Sequence, residues 1–87
     1  MAIYSGQVVV GTTPTAIDGA DKNPIRIIVH NTDQLKGIFL GNSTVATTTG
    51  LELDKHGQVE LILNPNESLY AIVDSGTATL SYLKQVY

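Results

Sequence analysis

Short runs in which apolar and polar residues alternate with a period of two, each closed by turn formers, constrain this chain more than any other feature. Ile25, Ile27 and Val29 alternate with Arg26, Ile28 and His30, and Val59, Leu61 and Leu63 with Glu60 and Ile62. Leu69, Ala71 and Val73 interleave with Tyr70 and Ile72, and Ala78, Leu80 and Tyr82 with Thr79, Ser81 and Leu83. Successive side chains of a strand point to opposite faces, so each run predicts a strand with one buried side. Further short runs stand at 7–10, 16–18 and 37–40, and no window has the spacing of a helix. The breakers between runs include Thr13-Pro14, Asp18-Gly19, Asn23-Pro24 and His56-Gly57. Regular short strands separated by turns predict an all-β fold, a small antiparallel β-sandwich or jelly-roll-like barrel, in one domain over residues 1–87.

Two of these runs are apolar on both phases. Ile28 and Ile62 stand where a solvated sheet face would be polar. They are either isolated exposed residues or residues covered by another subunit.

Composition then narrows the means of stabilisation. With Cys 0 the chain has no disulfides and no thiolate metal ligands, and two histidines, His30 and His56, do not make a zinc site unaided. Small domains often draw further stability from disulfides, a metal or a partner, so other chains are the remaining source. Lys+Arg 5 against Asp+Glu 8 gives a net charge of −3, without the basic stripe of a nucleic-acid binder. Charged residues are only 15 %, which makes the surface cheap to desolvate against a partner. The apolar runs fall far short of the ~20 residues that span a bilayer.

Three turns carry specific expectations. Asp74-Ser75-Gly76 predicts a short hairpin with Gly76 at positive φ, and Asn64-Pro65-Asn66-Glu67 a type I or II turn. Residues 41–50 lack alternation and read as a long loop between the 38–40 and 59–63 strands, of the kind that often serves function.

Catalytic patterns are missing. No serine stands in a Gly-x-Ser-x-Gly elbow, His30 lies on the polar phase of a strand, and His56 sits in a turn. Glu52, Asp54, Glu60 and Glu67 are the carboxylates available to pair in space, but so small a sandwich offers little depth for a cleft. No glycine-rich phosphate loop opens a helix, Asp18-Gly19-Ala20-Asp21 reads as a turn rather than a calcium loop, and aromatics at 6 % are few for stacking on bases. The chain is therefore expected to be no enzyme and to use no cofactor or metal. Its ends are apolar and aromatic: Ile3 and Tyr4 at one, Tyr82, Leu83, Val86 and Tyr87 at the other. They serve either as edge strands of the core or as anchors on a neighbouring chain.

Two stretches resemble small virion proteins of tailed bacteriophages, of the head decoration (cement) or minor capsid type. One runs from Phe39-Leu40-Gly41 through Val45 and the threonine run to Gly50-Leu51-Glu52-Leu53. The other runs from Asn64-Pro65-Asn66-Glu67 through Leu69-Tyr70-Ala71 and Asp74-Ser75-Gly76 to Leu80, with Asn66 where glycine is common in that family. The strand Ile27-Ile28-Val29-His30-Asn31 is similar to one ending in asparagine there. The resemblance covers the C-terminal half well and the N-terminal half only in general character.

It implies a capsid decoration protein on the outer surface of a phage head, bridging major capsid subunits as a homo-oligomer, a trimer. It implies no direct contact with nucleic acid or membrane and assembly of the virion in the host cytoplasm. On apolarity at expected surface positions, the contact residues are Ile3, Tyr4, Tyr82 and Tyr87, with Val45 and Leu51 in or beside the long loop. The alternatives are a tail or fibre carbohydrate-binding adhesin, for which exposed aromatic platforms are few, and a tail or connector assembly module.

Overall fold

A computed structural model describes residues 2–17 and 22–86. Eight strands follow in order: β1 (Ala2–Val10), β2 (Thr15–Ala16), β3 (Ile25–Asn31), β4 (Ile38–Gly41), β5 (Leu51–Leu53), β6 (Gln58–Leu63), β7 (Tyr70–Ile72) and β8 (Ala78–Val86). They form two four-stranded sheets, β1-β8-β3-β6 and β2-β7-β4-β5, with every pairing antiparallel. The first half of the chain pairs with the second half in reverse, β1 with β8, β2 with β7, β3 with β6 and β4 with β5. Rolling that long hairpin brings β3 onto β8 and β4 onto β7. This is the jelly-roll form of the β-sandwich.

Alternation sets which side faces in. β3 buries Ile25, Ile27, Val29 and Asn31 and turns Arg26, Ile28 and His30 outward. Ile38, Leu40, Ala71 and Val73 meet them from the other sheet side of the core. The sheets are unequal. β1 and β8 run nine residues each, whereas the strands of the second sheet run two to four. Tyr4, although in the inward phase, is consequently exposed, with the Lys84 ammonium 5.2 Å from its ring centroid.

Several expectations need correction. β7 and β8 lie in different sheets, so the 74–76 turn is a corner between layers and not a hairpin. Gly76 does take the positive φ of 64°, and Lys36 Nζ donates to the Ser75 carbonyl beside it. The 41–50 loop leads not to β6 but to β5, a three-residue strand too short to show alternation. Val45 within that loop is buried, contrary to its expected surface position. Cβ atoms at Gly41 and Gly50 would come within 2.7 and 2.9 Å of its Cγ2, so the two glycines make the slot it fills. Tyr82 is half-buried against the core, in the inward phase of a central strand. β8 continues to Val86, which is buried opposite Ile25, so this end of the chain is core strand rather than a free anchor. Tyr87 and the 18–21 turn lie outside the described residues.

Asn66 has φ 67°, and the Glu67 N–H donates to the Asn64 carbonyl at 3.1 Å, as in a type II turn. Glycine takes that conformation freely, and asparagine is among the few other residues that tolerate it.

The fully buried Asn31 ties four segments together. Its Nδ2 donates to the carbonyls of Lys36 (2.8 Å) and Leu53 (3.0 Å), and its Oδ1 accepts from the Asp33 N–H (2.9 Å). Its main chain donates to the Gly57 carbonyl and accepts from the His56 N–H, both at 2.9 Å. Asn31→Asp loses both side-chain donations and faces a carboxylate toward carbonyl oxygens. The substitution should cost about 3 kcal/mol in urea unfolding; a loss under about 1 kcal/mol would show that the amide is dispensable. Ending the chain after Leu83 removes the last turns of pairing with β1 and β3 and the buried Val86, and should lower the thermal midpoint rather than leave the domain intact.

Candidate interaction surface

The outer face of the β1-β8-β3-β6 sheet carries the exposed apolar side chains of Ile3, Val9, Ile62 and Leu83. Cross-strand register arranges it in rows. The first row is Ile3, Gln85, Arg26 and Ile62, and the second is Ser5, Leu83, Ile28 and Glu60. A third, polar row is Gln7, Ser81, His30 and Gln58. Ile62 is 65 % exposed and Leu83 44 %, on two strands separated by β3. Ile3, Ile28, Leu83, Arg26 and Gln85 line a shallow depression of about 270 Å³. Arg26 reaches diagonally across this face to the Glu60 carboxylate, which leaves the charges paired with each other. In the polar row the Nδ1 of half-buried His30 has no hydrogen-bond partner among the described residues.

The expected contact residues divide. Ile3 stands on this face, Tyr4 on the same strand but in the opposite phase, and Leu51 is exposed on the other sheet at the edge strand β5. Val45 and Tyr82 point inward, as described above. The alternation of β3 and β6 marked Ile28 and Ile62 in advance. Val9, exposed at the far end of β1, was hidden inside the continuous run Val8-Val9-Val10, which has no readable phase.

Glu52, Glu60 and Glu67 do not converge. Glu52 lies on β5 beside Gly37, Glu60 pairs with Arg26 on the opposite sheet, and Glu67 Oε1 accepts from the Asn64 N–H within its own turn. Among the described residues no three of His, Cys, Asp or Glu are placed to hold a metal ion.

No protein-family model and no curated protein sequence matches the chain. Among solved structures, a chain from work describing Bacillus endospore appendages as a novel family of disulfide-linked pili superposes with a TM-score of 0.57. It is 8 % identical, and the match covers 97 % of this chain and 88 % of that one. The likeness is one of fold.

Asp33 sits in a turn that favours its charged form. Its carboxylate accepts the N–H of Leu35 (3.0 Å) and of Lys36 (2.7 Å), and these bonds hold its pKa below the ordinary 3.8. A lowered carboxyl pKa means stabilisation that is complete above 3.8 and is lost as pH falls through the folded value. In an NMR titration the Asp33 carboxyl should show a midpoint below 3.8, with the Leu35 and Lys36 amide shifts moving alongside it. A midpoint at or above that value would mean that the turn does not hold the carboxylate.

Proposed function

We propose that this chain is a structural virion protein, a capsid decoration (cement) protein that lies on the outside of a phage head and bridges major capsid subunits. The observation that carries this reading is the outer face of the β1-β8-β3-β6 sheet, where Ile3, Ile28, Leu83 and Ile62 stand among few and already paired charges. Covering the exposed part of each aliphatic side chain is worth roughly 1 kcal/mol, and little charge has to be desolvated in exchange. A docked surface also supplies a partner for His30 Nδ1. Single contacts of that size are weak, and a homo-oligomer that engages several sites of one shell strengthens them by avidity. The resemblance in the 39–53 and 64–80 stretches adds the phage head as the scaffold.

The structural neighbour belongs to appendages described as disulfide-linked pili, whereas these 87 residues contain no cysteine. Any assembly they build is held without disulfides between these residues.

Co-sedimentation with shells of the co-encoded major capsid protein tests the reading. Leu83→Glu should weaken binding at least ~10-fold, about 1.4 kcal/mol, with an unchanged fold by circular dichroism. Undiminished binding of this variant would remove the sheet face from the interface. Failure of the unmodified chain to bind shells, together with capture on a glycan array, would favour the adhesin. A handful of copies per virion in place of hundreds would move the module to the tail or connector.

A further inference from the structure

A strand at the edge of a sheet offers unpaired N–H and C=O groups to any strand that reaches it, and proteins ordinarily blunt such edges. Here the edges are β1 and β6 in one sheet and β2 and β5 in the other. β2 and β5 are two and three residues long. β6 carries Glu60, paired with Arg26. β1 has no such protection. It runs nine residues, AIYSGQVVV, with neither a charge nor a proline, and among the described residues its one strand partner is β8. It also exposes three large apolar side chains, Ile3 at 67 %, Tyr4 at 53 % and Val9 at 63 %.

We propose that this edge joins two copies of the chain, β1 against β1, antiparallel about a two-fold axis at Gly6. The strand's own sequence selects a second copy as the occupant. Centred on Gly6, the pairing sets Ile3 opposite Val9 of the other copy, Tyr4 opposite Val8, Ser5 opposite Gln7, and glycine opposite glycine. Apolar meets apolar and polar meets polar at each of these positions, which is what stabilises antiparallel neighbours. Moving the axis to Ser5 puts Ile3 opposite Gln7, and moving it to Gln7 puts Ser5 opposite Val9, so the neighbouring registers mismatch. Direct partners share a face, so Ile3 and Val9 of the two copies cover each other on the outer side, while Val8 covers Tyr4 on the inner side. The product is one continuous eight-stranded sheet whose two outer faces lie on the same side. Each chain has one such edge, so the contact closes at two copies; a trimer, which the phage resemblance implies, would need other surfaces.

Sedimentation of the full chain tests this independently of any shell. The unmodified protein should run at twice its 9.3 kDa mass. I3K/V9K places lysine opposite lysine at both ends of the pairing and should return the mass to that of one chain. I3K/V9E places lysine opposite glutamate of the other copy and should restore the pair. Within one chain the two positions are roughly 20 Å apart and do not meet. A single-chain mass for the unmodified protein at high concentration, a pair that survives I3K/V9K, or no recovery in I3K/V9E would each overturn the proposal. Association through the sheet face or with an unrelated strand would not distinguish the two variants in this way. Should either variant fail to fold, amide exchange of the unmodified chain decides: protection within residues 3–9 rises with concentration if the edges pair, and concentration-independent exchange rejects it.

Discussion

A buried amide locks the phase that alternation gives β3. Ile25, Ile27 and Val29 face inward and Arg26 and His30 outward, while Ile28 makes the outer side partly apolar as well. Asn31 adds a polar constraint to the hydrophobic one. Its side chain finds two carbonyl acceptors and one N–H donor only when it points inward, toward Lys36, Leu53 and Asp33. A slip of one residue would turn every side chain over, stranding three polar groups and driving Arg26 into the core. Because β3 lies between β8 and β6, its phase dictates theirs, and Ile28, Leu83 and Ile62 are thereby fixed on the outside.

The second determinant is the inequality of the two sheets. The short strands β2, β4, β5 and β7 do not cover the whole inner side of the longer sheet: on β1 Val10 is buried and Tyr4 is exposed. The same inequality gives the molecule one broad outward face and one long edge on the same sheet. The outward face and the β1 edge are thus neighbouring parts of a single layer, and Ile3 belongs to both.

Strands with clean alternation were readable from sequence, and so was the phase of β3, β6 and β8, because the aliphatic residues of each concentrate on one side. The positive φ at Gly76 and the turn at Asn64–Glu67 followed from residue chemistry alone. What sequence did not disclose depends on distant partners. β5 is three residues long and is a strand only because β4 lies alongside it. Assigning β7 and β8 to different sheets needs the pairing of β8 with β1 and β3, separated from it by most of the chain. Val45 is apolar in a polar loop, which looks the same in sequence whether the side chain is outside or seated between Gly41 and Gly50. The face was half-legible through Ile28 and Ile62; the edge required knowing which strand ends a sheet.

The pairing of β1 with β8 also imposes an order in time. β1 leaves the ribosome before the other strands of the fold, and its sole strand partner among the described residues is the last of them. At synthesis rates of about 5–20 residues per second, an uncharged, aliphatic segment stays without its neighbour for several seconds. Chains emerging side by side on one message present this segment to each other throughout that interval. The feature that suits the finished protein to joining its own kind is therefore also its main exposure to misassembly while it is being made.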